Sequence, residues 1–277
     1  MKRKLLIFLI FSVGVGILLY PVVSHVLAHF TQTRVISTYE KAVSQLSIEE
    51  KIEEIKKANE YNSGLVNQEI ETIEGVSYVD LLNVGEIMAY LKIPKIDVEL
   101  PIYHGTSDAV LQRGIGHMEK SSLPVGGDST HSVLTGHTGL PQASLLTNLT
   151  KVEVGDEFYI HLFDEVLAYQ VDQIKVVLPD EKSDLQIIEG QDYVTLITCT
   201  PYGVNSHRLL VRGTRIDYIE PVDEEVSSII ENESVLPKDE EETQSDTDLL
   251  GYVIELMVIF GGGILFIVIK RKKDDRK

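Results

Sequence analysis

Residues 195–215 read TLITCTPYGVNSHRLLVRGTR, and this stretch sets the fold class. Tyr193 to Thr198 is an apolar, β-branched run, and His207 to Arg212 is a second one. Pro201-Tyr202-Gly203 between them is a turn signal. The pattern predicts two strands with Cys199 at the end of the first. Cys199 is the only cysteine of the chain. Without a partner for a disulfide, its thiol is either a buried small hydrophobe or a reactive group.

Upstream, the same texture repeats. Ile87 to Ile93 alternates and stops at Pro94, and Val98 to His104 is a further strand. Pro101 interrupts it, which suits an edge strand or a bulge. Ser132 to Gly136 reads as a short buried strand. Glu157 to Leu162 and Val166 to Val177 read as a hairpin around Phe163-Asp164-Glu165. Short strands between turn residues predict a mainly β domain over 85–220. Its expected form is a closed or nearly closed barrel, with small helices near Asp108–Gln112 and Ala143–Leu149.

Both ends differ from this middle. Lys2, Arg3 and Lys4 precede an apolar run from Leu5 to Ala28 that contains Pro21. Its length suits a membrane-crossing helix, and residues 1–30 are assigned to an anchor or to a cleaved signal segment ending at Val26-Leu27-Ala28. Residues 31–84 are rich in Glu, Lys, Ala and Gln. Val35, Tyr39 and Val43, then Ile48, Ile52 and Ile55, recur at helical spacing, so two short amphipathic helices are expected. Ser47 and Glu50 form a capping-box signature for the second. Residues 221–248 contain Asp239-Glu240-Glu241-Glu242 and read as an acidic linker. Residues 249–269 are apolar apart from Glu255 and read as a transmembrane helix, and 270–277 as a basic tail. The basic flanks predict both termini in the cytoplasm and the middle outside. The formal net charge is −18, although six of the last eight residues are basic. So acidic an outer segment disfavours nucleic acid and anionic headgroups as partners.

A thiol nucleophile needs a base or a cation beside it. Among eight histidines, His25 and His29 belong to the membrane-proximal region, and His104, His117, His131, His161 and His207 read as surface or satisfied polar residues. His137 ends a strand in Leu134-Thr135-Gly136-His137-Thr138-Gly139, with glycines that allow close backbone approach. Arg208 lies nine residues past Cys199 beside Leu209, Leu210 and Val211. An arginine there must face a cleft or a partner. No CxxC or HExxH is present, so no metal and no cofactor are expected.

Taken together, the TLITC segment, the Gly-His-Thr-Gly segment about sixty residues earlier and Arg208 resemble the sortases. IPKIDVELPIYHGT (93–106) and the C-terminal apolar run resemble the class C, pilus-assembling branch. The resemblance spans roughly Asp80 to Arg215. It implies an eight-stranded β-barrel with Cys199 as nucleophile, His137 as acid and base, and Arg208 as the oxyanion cation. It also implies cleavage of an LPxTG-like sorting signal between Thr and Gly, and transfer to a pilin lysine amine at the outer face of a Gram-positive membrane. The implied partners are pilins or surface proteins bearing C-terminal sorting signals. The same chemistry with a peptidoglycan-precursor amine is an alternative, as is a non-catalytic membrane-tethered scaffold. Many class C members carry an Asp-Pro-aromatic lid. Between Tyr61 and Leu82 there is no Asp-Pro pair, so an absent or atypical lid is expected, with Tyr78 as a substitute aromatic.

Overall fold

The computed structural model describes residues 2–67, 77–139 and 145–219. The acidic linker and the C-terminal apolar run lie outside the described residues. Eight strands close on themselves: β1 Ala89–Ile93, β2 Val98–His104, β3 Ile115–His117, β4 Thr130–Thr135, β5 Glu157–Leu162, β6 Glu165–Val177, β7 Asp192–Thr200 and β8 His207–Ile216. The order around the barrel is β1-β2-β3-β4-β7-β8-β6-β5. β2–β3 and β4–β7 pair in parallel, and the remaining neighbours pair antiparallel. Closure gives each strand a neighbour on both sides, although the three-residue β3 covers only part of β2 and β4.

Inward residues fill the barrel. Leu91, Ile102, Ile115, Leu134, Phe158, Ile160, Leu196 and Val211 are all buried there. Gly213 is glycine because a Cβ would lie 2.5 Å from the Phe158 ring. Pro101 makes no bulge but sits on a stretch of β2 that is open on one side, in keeping with the expectation of an edge position. It pairs with Tyr90 of β1. Its pairing with β3 begins only at Ile102, so the ring removes no donor on that side. β3 itself has three residues, too few for an alternation that sequence could reveal.

The N-terminal helices differ from the two short ones expected. α1 runs unbroken from Lys2 to Val43, through Pro21 and across the 30/31 boundary. Proline removes one intrahelical donor and crowds the preceding turn, yet the helix continues through it. The apolar part of α1 is long and apolar enough to cross a membrane, with no part of that window buried. Its last turns dock on the barrel through Ile36, Tyr39 and Val43, all buried. Each buries apolar surface that contributes roughly 1.5–3 kcal/mol. The Tyr39 hydroxyl accepts from Phe163 N at 2.8 Å and donates to the Met88 carbonyl at 3.3 Å.

α2, Ile48–Asn67, opens with the expected capping box: Glu50 N donates to Ser47 Oγ, and Ser47 N donates back to the Glu50 carboxylate. Ile48 and Ile52 are exposed at 72% and 60%, so they are not the core face. That face instead carries Ala58, Tyr61 and Asn62. Asn62 donates from Nδ2 to the Leu123 carbonyl at 3.2 Å and accepts from Leu123 N at 2.7 Å, fastening the helix to the barrel. α3, Asp108–Leu111, is capped by Ser107, whose hydroxyl accepts from Val110 N. The helix expected near Ala143–Leu149 is described only as a 3-10 turn over Thr147–Lys151.

Candidate active site

β7 delivers Cys199 near its C-terminal end, with the thiol half-exposed. β8 returns antiparallel, and Arg208 is the residue directly opposite Cys199. Directly opposed residues on antiparallel strands project to the same face with Cβ atoms about 4.5–5.5 Å apart. Register therefore starts both side chains side by side on one face. Arg208 Nη1 donates to the carbonyls of Asn205 at 3.2 Å and His207 at 3.0 Å. Both bonds use one nitrogen. Nη2 and Nε make no hydrogen bond among the described residues and stay available to a ligand.

His137 arrives from the other side. β4 and β7 run parallel with Thr135 opposite Ile197. Gly136 N donates to the Ile197 carbonyl at 3.0 Å just past that pair. Thr198 Oγ1, buried, donates to the Gly136 carbonyl at 2.8 Å. These two bonds fix the backbone on the N-terminal side of His137 against the strand that carries the thiol. A Cβ at Gly136 would lie 2.8 Å from Ile115 Cδ1, so the glycine permits close packing at a position that also lines the groove. Gly139 has φ +74° and lies under the Tyr202 ring, where a side chain would be both strained and crowded.

His137, Cys199 and Arg208 line one groove of about 290 Å³. Its floor is a small apolar cluster outside the barrel core, built from Val133, Val177, Ile197 and Leu210 with Met118 and Leu185 against it. One wall is the β6–β7 loop, which contributes Pro179, Glu181, Lys182 and Leu185. The sequence reading passed over this loop. The signal it offered was Leu185, Ile187 and Ile188, apolar residues in an otherwise polar connection.

Two other histidines of the barrel, His117 and His104, are held by hydrogen bonds. His117 is fully buried, and burial lowers its pKa to about 4. Its Nε2 donates to the Ser122 carbonyl at 2.8 Å, which leaves Nδ1 to accept from the Tyr78 hydroxyl at 2.7 Å. His104 Nε2 donates to the Leu81 carbonyl at 2.6 Å, and burial lowers its pKa too. Tyr78 accepts from Gly105 N at 3.1 Å and packs against Tyr61, His104 and His117. It braces the groove from behind and is not among the residues lining it. Residues 68–76, which precede this brace, lie outside the described residues. Among the described residues, no cluster of three or more His, Cys, Asp or Glu side chains is arranged to hold a metal.

A closed eight-stranded barrel with thiol, imidazole and guanidinium on one groove defines the sortase-type class of fold. The chain belongs to the sortase family: the sortase domain model matches residues 91–216. Three solved structures are similar. The one titled sortase C1 of GBS Pilus Island 1 is 47% identical, with a TM-score of 0.65 over 69% of this chain and 95% of that one. The lid mutant of Streptococcus agalactiae sortase C1 is 48% identical, with a TM-score of 0.64 over 68% of this chain and 100% of that one. Sortase C-1 of Streptococcus pneumoniae is 48% identical, with a TM-score of 0.62 over 66% of this chain and 98% of that one. These likenesses set the chain in the class C branch. Among curated relatives, sortase D of Bacillus subtilis (strain 168) is 29% identical over 135 residues, covering 48% of this chain and 65% of that protein. Sortase A of Bacillus anthracis is 25% identical, and the match covers 48% of this chain and 61% of that protein. The chain therefore spans somewhat less than two thirds of the length of these two curated relatives.

Proposed function

We propose that the chain cleaves an LPxTG-like sorting signal between Thr and Gly and joins the new carboxyl end to a pilin lysine amine. The observation that carries this reading is the single groove shared by Cys199, His137 and Arg208. In this scheme the Cys199 thiolate attacks the Thr carbonyl carbon, and the developing oxyanion is held by the free donors of Arg208. Collapse breaks the Thr–Gly bond as His137, in its imidazolium form, protonates the departing Gly amine. The acyl group remains on sulfur as a thioester. A lysine amine then attacks, His137 takes its proton, and the thiolate leaves as an isopeptide bond forms. One amide is exchanged for another, so no external energy source is required. Relatives titled sortase C1, one of them from a pilus island, support a pilin acceptor. Anchoring through the apolar helix α1 would confine enzyme and tethered substrates to one surface and raise their effective concentration.

The test is direct. Full-length protein in detergent is mixed with a sorting-signal peptide, and the intact mass is followed. The expected product is a thioacyl adduct on the peptide containing Cys199, resolved into covalent ladders when a pilin domain is added. A product found only on wall-precursor amine would move the acceptor assignment. The absence of any adduct would overturn the reaction.

A further inference from the structure

We infer that His131 is a positioning residue: it latches the β6–β7 loop in place as a wall of the thiol groove and thereby sets the affinity for the sorting signal. The inference rests on the reaction proposed above and adds a residue to it.

The loop runs from 178 to 191 and supplies Pro179, Glu181, Lys182 and Leu185 to the groove. It has little regular structure of its own beyond a 3-10 turn at Ser183–Leu185. Something else must hold that wall. One tie is the Lys175–Asp184 ion pair, whose lysine is 46% exposed. An ion pair so open to solvent contributes little. A second tie is Leu185 against the apolar floor, which is non-directional.

The third tie is directional and buried. His131, 1% exposed, sits on β4, part of the rigid barrel. Its Nδ1 lies 2.9 Å from the Gln186 carbonyl, and its Nε2 lies 2.7 Å from Thr195 Oγ1 on β7. A carbonyl only accepts, so Nδ1 carries the proton and Nε2 accepts from the threonine hydroxyl. Burial lowers the affinity of this imidazole for a second proton, with the Arg212 charge acting in the same direction, which preserves that neutral arrangement. The Thr195 bond fixes the ring, and the ring fixes the residue next to Leu185 in the groove wall. None of these atoms touches the thiol, so the expected effect is on ligand binding and not on the acyl-transfer step.

The experiment compares full-length wild type with His131→Leu, which removes both bonds, and His131→Asn, which keeps a donor at the Nδ1 position. In His131→Leu, KM for the sorting peptide rises about tenfold or more, kcat stays within about threefold, and the alkylation rate of Cys199 by iodoacetamide is unchanged. Amide exchange over 183–188 speeds up about tenfold, while exchange in β7 and β8 stays as in wild type. His131→Asn returns KM and exchange most of the way. An unchanged KM, a loss confined to kcat, or unchanged exchange over 183–188 would each overturn the latch. Should His131→Leu not fold, Thr195→Val, which removes only the hydroxyl that orients the ring, is read by the same two measurements with the same consequences. Failure of wild type to turn over the peptide would count against the reaction itself, and the exchange comparison would still decide the latch.

Discussion

Replacing Thr198 by valine tests how the thiol strand holds the imidazole. Valine matches threonine in shape, so the change removes one donor and little volume. Thr198 is 2% exposed, and its hydroxyl donates to the Gly136 carbonyl at 2.8 Å. In the variant that carbonyl faces a methyl group instead of a donor. An unpaired buried acceptor costs about 1–3 kcal/mol. For a domain of this size each kcal/mol lowers Tm by about 2–4 °C, so a drop of roughly 2–12 °C is expected. The larger effect is on turnover, because the relieved carbonyl belongs to the residue just before His137. A misplacement near 1 Å at a reacting group costs about a hundredfold, so kcat/KM should fall roughly ten- to hundredfold. The assay pairs a thermal melt with steady-state cleavage of a labelled sorting peptide, with Thr198→Ser as the control that keeps the hydroxyl. A valine variant with wild-type kcat/KM would show that this hydrogen bond does not position the imidazole.

Other substitutions probe separate links. Cys199→Ala should abolish the thioacyl adduct with Tm within about 2 °C of wild type; residual polymer formation in that variant would exclude Cys199 as nucleophile. Arg208→Lys should lower kcat/KM by about a hundredfold, since an ammonium lacks the forked donors, and near-normal turnover would take Arg208 out of the site. Asn62→Ala leaves the buried N–H of Leu123 unpaired, while the Leu123 carbonyl keeps its bond from Val125 N. Denaturant unfolding should show a loss of about 1–3 kcal/mol, and an unmoved midpoint would contradict the fastening role. His117 gives a pH signature. Its folded pKa is pushed down to about 4, below the ordinary histidine value of about 6.5. The unfolded chain therefore binds more protons between those values, and its contribution to stability is complete above pH 6.5 and is lost as pH falls towards 4. Tm measured at pH 7 and pH 4.5 should diverge less in His117→Gln than in wild type; an equal divergence would exclude the histidine.

His137, Cys199 and Arg208 were legible in the sequence through the motifs that resemble the sortases, and all three fall at or beside strand ends. Cys199 and Arg208 bracket a β7–β8 turn, and Gly136-His137 follows a strand that pairs with β7. Most strands were legible from their β-branched texture. β3 was not, because three residues carry no period. The buried face of α2 was misjudged from its isoleucines, since what the barrel receives there is Ala58, Tyr61 and a hydrogen-bonding Asn62. Continuity of α1 through Pro21 was hidden because the local rule treats proline as a kink, whereas here the helix continues through it. His131 read as a satisfied polar residue. That it is satisfied by a loop carbonyl 55 positions away is a tertiary fact without a local signal.

The unbroken α1 has a mechanical consequence. A 42-residue helix is about 63 Å long, roughly twice the hydrocarbon thickness of a bilayer. Its final turns are fastened to the barrel through Tyr39, and the helix runs from that contact into the apolar shaft without a break. A head mounted on such a mast would keep a set altitude above the lipid and sweep only by turning about the shaft. Chains drifting in the same bilayer would then meet the thiol at one height, and the reach required of a sorting signal would be a ruler length built into the helix.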